Sequence, residues 1–117
     1  MLQTELIRPL HELLRDHAAA RPGRIAYRDA RRAVTYAELE TRTARVAGAL
    51  AAEVGVAPGD RVVLCLGNGV PMIESYLAVA RAAAIGVPVN PASTDGEMAY
   101  LLTDSDAVAV ITDAAHL

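Results

Sequence analysis

The stretch Arg61-Val62-Val63-Leu64-Cys65-Leu66 constrains most tightly what this chain can fold into. Five apolar residues follow Arg61 without a break, so the segment offers no polar side to face water. Turn residues bound it: Ala57-Pro58-Gly59-Asp60 before and Gly67-Asn68-Gly69 after. A run this short reads as a strand covered on both faces. Such strands belong to parallel sheets, whose neighbours need crossover connections, usually helices. The following residues supply them. Pro71 opens a helix with Ile73, Tyr76, Leu77, Ala80 and Ala84 along one side, and Gly86 is expected to end it. Val87-Pro88-Val89 reads as a short strand and Asn90-Pro91 as a turn. A short helix from Glu97 to Leu102 carries Met98, Leu101 and Leu102 inward. Asp104-Ser105-Asp106 turns the chain into AVAVIT, another buried-strand pattern, and Asp113–Leu117 looks like the start of one more helix. Strand, helix, strand, helix, strand at this spacing predicts right-handed βαβ crossovers and an α/β fold.

Upstream the pattern differs. Pro9 suits the first turn of a helix with Leu10, Leu13, Leu14 and Ala18 on one face, ended by Arg21-Pro22-Gly23. RIAYRD and AVTY bracket Ala30-Arg31-Arg32 and read as a β-hairpin with an exposed, arginine-rich tip. The second strand then runs into a helix with neither glycine nor proline between them. Thr35 and Glu38 resolve this, because they fit a capping box: Thr35 accepts from the N–H of Glu38, whose carboxylate accepts in return from the N–H of Thr35. The helix they start carries Leu39, Thr43, Val46, Ala47, Leu50 and Val54 at helical spacing, with Glu38 placed to pair with Arg42 and Gly55 to end it.

At 117 residues the chain has the length of one domain, and 53% hydrophobic content gives it material for a core. That core lacks Phe and Trp, so burial falls to Leu, Val, Ile and Ala. Net charge is −3, and all eleven cationic residues are Arg. No basic face dominates, which argues against nucleic acid or an anionic membrane as partner. No segment reaches the length of a membrane span, and the first nine residues lack the basic patch and apolar run of a signal peptide; the expectation is cytoplasmic. A single cysteine, Cys65, excludes an intrachain disulfide and reads as a small buried hydrophobe.

Candidate chemistry is sparse. Leu66-Gly67-Asn68-Gly69-Val70-Pro71-Met72 places Gly-x-Gly between a strand and a helix, as dinucleotide-binding folds do. Met72 stands where their third small residue belongs, and no acidic residue ends the next strand. A tight strand-to-helix turn accounts for the glycines. A lysine-bearing phosphate loop is ruled out without lysine. Asp104, Asp106 and Asp113 read as turn and cap residues rather than a magnesium site, and Ser93-Thr94 as loop and cap rather than phosphate contacts. His11 and His17, six apart, do not share a helix face, so they are not expected to ligate a metal. Tyr27, Tyr36, Tyr76 and Tyr100 are expected to pack their rings and hydrogen-bond their hydroxyls. No Ser-His-Asp or Cys-His arrangement emerges; the expected catalytic, cofactor-binding and metal residues within this chain are none.

The order of the pieces is more informative. IAYRDARRAVTYAELETRTARVAGAL, GVAPGDRVVLCLGNGVPMIESYLAVARAAAIGVPVNP and EMAYLLTDSDAVAVITD resemble the beginning of the adenylate-forming superfamily: acyl-CoA synthetases and ligases, luciferases and peptide-synthetase adenylation domains. Val87-Pro88-Val89-Asn90-Pro91, then Glu97, Tyr100 and Asp104-Ser105, is most similar to the acyl-CoA ligase branch. Ala83 departs from it, standing where the family commonly has glycine. The resemblance implies that residues 1–117 are a partial N-terminal subdomain, a β-hairpin plus βαβ units with a mainly parallel sheet flanked by helices. It implies a parent enzyme using ATP, Mg2+ and CoA to turn a carboxylic acid into an acyl-adenylate and pass it to CoA or a carrier-protein thiol. The family's catalytic residues lie beyond residue 117, so this chain alone is expected to be inactive and to need none of these cofactors. Its expected partner is the rest of the ligase or a synthase assembly, with self-association through uncovered apolar surface. The alternative is a stand-alone α/β protein-interaction module derived from a truncated ligase.

Overall fold

The computed structural model describes residues 8–114; most of the opening residues read for a signal peptide, and most of the helix expected from Asp113, lie outside that range. Helix α1 (Leu10–Ala20) precedes strands β1 (Ile25–Arg28) and β2 (Ala33–Thr35). Helix α2 (Tyr36–Ala49) continues into a π-helical segment, Leu50–Val54. Strand β3 (Arg61–Cys65), helix α3 (Val70–Arg81), strand β4 (Ile85–Pro88), helix α4 (Asp95–Ser105) and strand β5 (Ala109–Thr112) complete the order. β1 and β2 form the expected antiparallel hairpin, with a register irregularity between Ile25 and Tyr27. The other strands form a parallel sheet in the order β4-β3-β5.

β3 fills the central place that its sequence demands. Val62 and Leu64 point to one face, packing with Val79 and Met72 of α3 and with Leu50 and Val56. Val63 and Cys65 point to the other, packing with Met98, Leu101 and Leu102 of α4 and with Val89. The period-2 alternation of a strand thus assigns α3 and α4 to opposite faces. A third cluster joins Leu14, Val34, Leu39 and Val70 and seats the hairpin on α1, α2 and the start of α3.

The expected capping box of Thr35 with Glu38 is formed and starts α2, and a second box, Thr94 with Glu97, starts α4. Gly55 takes a left-handed φ of 81° and stops the π-helical segment.

Several expectations shift. Leu10, Leu13, Val46 and Val54 are exposed, because only one narrow stripe of α1 and of α2 meets the core. On α3 the buried residues are Val70, Glu74, Ser75, Ala78 and Val79, not the Ile73/Tyr76/Leu77/Ala80 side. Small residues let α3 approach β3 closely, while Glu74 is drawn inward by arginines far away in sequence. α3 ends at Ala82 and Ala83, the latter at a left-handed φ of 59°, and Gly86 lies inside β4 opposite Val62. α4 is longer than expected, since Thr94 caps it at Asp95. β5, expected to be buried on both faces, leaves Val110 44% exposed because it has one neighbour among the described strands.

Candidate functional site

Ligands of open α/β sheets bind where the parallel strands end at their carboxyl sides. Here the segments after β3 and β4 meet around a hollow of about 410 Å³ lined by Leu66, Gly67, Asn68, Met72, Asn90 and Pro91. A neighbouring hollow of about 300 Å³ shares the Leu66–Gly69 segment and adds Asp29, Arg31 and Asp113. Asn90 is committed to its own turn, its Oδ1 accepting from the N–H of Ala92 at 2.9 Å.

The hairpin reaches into this region through Asp29. Its Oδ1 accepts from the N–H groups of Arg31 and Arg32, each at 2.8 Å, which folds the tip. Its Oδ2 accepts from the N–H of Val70 at 2.8 Å, at the first residue of α3. These bonds, the one from Val70 foremost, hold the Asp29 carboxyl below the usual carboxylate range. Glycine suits position 69, since a Cβ there would stand 3.0 Å from Asp29 Oδ2 and press on that carboxylate. Gly67 has open space around its Cα, so nothing in its surroundings demands glycine.

This arrangement disfavours a nucleotide phosphate at the Gly67-Asn68-Gly69 turn. The start of α3, where a phosphate would find N–H donors and a positive dipole end, is occupied by the protein's own carboxylate. Pro71 contributes no N–H, and the chain has no lysine.

Behind the cleft, Glu74 is 8% exposed and pairs with two arginines. Its Oε1 accepts from Arg42 Nε, and its Oε2 accepts from Arg42 Nη2 at 3.1 Å and Arg32 Nη2 at 3.3 Å. The hydrogen bond to Glu74 raises Arg42 above the ordinary guanidinium range. Arg42 was expected to pair with Glu38 along α2; the inward carboxylate on α3 takes it instead. Glu38 still lies below the usual carboxylate range, chiefly through its bond from the Thr35 N–H. Arg81 Nη1 sits 2.8 Å from Glu40 Oε2, and neither atom makes a directed hydrogen bond, so charge alone holds that pair.

The other candidate residues stay apart. Cys65 is buried and free, its carbonyl accepting from Thr112 Oγ1 at 2.9 Å. His17 stacks on Tyr36 with centroids 5.1 Å apart, whereas His11 belongs to a different face of α1. Thr94 is a cap and Ser93 a turn residue. Asp104 and Asp106 close α4, and the described residues contain no group of three His, Cys, Asp or Glu able to hold a metal. Tyr27 and Tyr36 pack with the hairpin, but Tyr76 and Tyr100 are exposed. The residues missed from sequence are Asp29 and Glu74. The turn role of Asp29 has a readable signal, an Asp two and three residues before N–H groups it can bind; its bond to Val70, and the partners of Glu74, lie over thirty residues away.

Residues 14–117 match the family described as AMP-binding enzyme. The chain belongs to that family. Over 106 residues it is 41% identical to the AMB antimetabolite synthetase AmbB of Pseudomonas aeruginosa, a match covering 91% of this chain and 8% of AmbB. A benzoate CoA ligase from Burkholderia xenovorans superposes with a TM-score of 0.87 at 33% identity, covering 94% of this chain and 22% of the ligase. The N-terminal subdomain of Klebsiella oxytoca NpsA shares the fold, with a TM-score of 0.83 at 23% identity over 92% of this chain and 28% of that one. The fold is therefore that of the N-terminal subdomain of adenylate-forming ligases, as the residues of the hairpin, β3 and α4 imply. The chain spans a small part of the relatives it matches, 8% of AmbB and 22% of the benzoate CoA ligase.

Proposed function

We propose that residues 1–117 are a partial N-terminal subdomain that serves as scaffold in an ATP-dependent acid–thiol ligase. In the reaction proposed for the whole enzyme, a carboxylate oxygen attacks the α-phosphorus of ATP and pyrophosphate leaves. A thiol then attacks the carbonyl carbon of the acyl-adenylate and AMP leaves. Mg2+ would accompany the nucleotide, and the proposed acceptor is CoA or a carrier-protein thiol, with Asn90 and its neighbours resembling the CoA-ligase branch. A cytoplasmic setting fits a chain in which no described helix is long and apolar enough to cross a membrane. The observation that carries the reading is Asp29 at the start of α3: the helix end that would favour an anion already holds the chain's own carboxylate, which suits this segment to support.

ATP–pyrophosphate exchange tests it. The chain alone is expected to show none with any carboxylic acid, and robust exchange would sink the proposal. Placed in the benzoate CoA ligase in lieu of the matching segment, the chain is expected to retain measurable exchange. A hydrophobic dye separates the interaction-module alternative, since a self-sufficient module would leave no apolar sheet surface to bind it.

A further inference from the structure

The two edges of the parallel sheet are built differently. β4 forms one of them. The N–H groups of Ile85 and Val89 bond inward, to the carbonyls of Asp60 and Leu64 at 2.8 and 3.0 Å. Directions alternate along a strand, so Gly86 and Pro88 face outward, and Pro88 has no N–H to offer. That edge is blunted against a further strand. β5 forms the other edge. It has no neighbour on its outer side among the described strands, and it contains neither proline nor a charged residue. Its outer row of backbone groups is a ready template for pairing.

The two faces of β5 differ as well. Ala109 and Ile111, in register with Val62 and Leu64, pack on the α3 side. Val110, in register with Val63 on the α4 side, is 44% exposed, and Val108, just before the strand, is 53% exposed. Helix α4 lies over β3 and the end of β4, where Met98, Leu101 and Leu102 meet Val63, Cys65 and Val89, and it leaves this part of the face bare. The handedness of crossovers says what such a strip is shaped for. Helix α3 leads from β3 to the β4 edge, and α4 leads back across β3 to the β5 edge. Right-handed connections running in opposite directions must lie on opposite faces, and these do. A further right-handed connection running outward from β5 continues in the direction of α4 and lies on the α4 face. That is the face on which Val110 is uncovered.

We propose, on the scaffold reading above, that the outer edge of β5 and its bare α4-side strip are the seam at which the rest of the ligase joins this chain. The occupant is a strand parallel to β5, whose connecting helix lays an apolar stripe over Val110 and the neighbouring Val108. The chain covers 22% of the benzoate CoA ligase, so such an enzyme has ample chain to supply both.

Hydrogen exchange tests this in two proteins, the 117-residue chain and the same chain placed in the benzoate CoA ligase in lieu of the matching segment. In the chain alone, the amides of residues 109–112 should divide between slow ones bound to β3 and fast ones on the open edge. In the chimera the fast ones should slow by about tenfold or more. Val110→Lys should undo that slowing in the chimera and leave exchange in the chain alone unchanged, whereas Val110→Ile should keep it. Outward amides that stay fast in a folded chimera would overturn the proposal. So would amides already slow throughout the strand in the chain alone, or a chimera that cannot fold. ATP–pyrophosphate exchange judges the scaffold reading separately. Activity without protection spares that reading and removes the seam; protection without activity does the reverse.

Discussion

Helices α3 and α4 cover opposite faces of the same strand and are nearly equal in length, 12 and 11 residues, yet they are secured in different ways. α4 is specified by its own residues. Thr94 and Glu97 start it, Asp106 in a left-handed conformation ends it, and Met98, Leu101 and Leu102 give it an inward side. None of its residues is fully buried. α3 lacks a side-chain cap of its own, but Asp29 binds its first N–H and Glu74 ties it to Arg32 and Arg42, and five of its residues are buried. One face of the sheet is closed by contacts remote in sequence; the other carries a well-formed helix that is only half packed. Local specification makes a helix, and remote contacts make an interior.

The contrast is broken most directly by truncating leucines on the two faces. Leu64→Ala removes a fully buried side chain on the α3 face and should cost about 3–4 kcal/mol. Leu102→Ala, on the α4 side, touches a half-buried residue whose surroundings can relax, and should cost about 1 kcal/mol. Urea unfolding of both variants measures the gap; equal losses would mean that the α4 face is as tightly packed as the other. Next in size is Glu74→Ala, which leaves Arg32 and Arg42 without their carboxylate. A fully buried pair broken this way loses about 3–5 kcal/mol. Arg42 is 45% exposed and can turn to water, so about 2 kcal/mol is expected. Glu74→Gln should cost less, because its amide oxygen still accepts one of the arginine hydrogen bonds.

The same contrast explains what could be read from the sequence. The strand β3, the hairpin, the Thr35–Glu38 capping box and the inward trio of α4 are encoded within a few residues each, and each is found in place. The face of α3 was misjudged because apolar spacing favours Ile73, Tyr76 and Leu77, whereas Glu74 is buried only by virtue of arginines 32 and 42 residues before it in the chain. Tyrosine hydroxyls were expected to find partners, but Tyr76 and Tyr100 face outward. At the cleft, the sequence argument against a nucleotide rested on a missing small residue and missing lysines. The carboxylate that fills the start of α3 comes from the hairpin, which local pattern does not connect to it.

A smaller effect bears on how the hairpin is attached to the α3 side. The carboxyls of Asp29 and Glu38 lie below their usual range in the folded chain. Groups depressed by folding contribute stability above their unfolded values, and lose it as pH falls through their folded ones. Stability should therefore hold from neutral pH to about pH 5 and decline below about pH 4. Asp29→Asn should be less stable at pH 7 and flatten that decline, since its amide cannot accept from Val70 and from the tip at once. Thermal melting against pH reports both; an unchanged slope in Asp29→Asn would detach the hairpin tip from the acid response.

The smallest effect concerns a flaw on the better-built side. Ala83 closes α3 at a φ of 59°, a conformation that costs a residue with a Cβ about 1–2 kcal/mol. Glycine removes that strain but loses about 0.4–1 kcal/mol through the greater freedom of the unfolded chain. The balance favours Ala83→Gly by about 0.5 kcal/mol. Urea midpoints resolve a shift of this size, provided the slope with denaturant stays constant. A loss of stability would mean that the methyl group contributes packing at the α3–β4 turn that outweighs its strain. In that event the α3 face would be optimised even where its backbone looks least favourable.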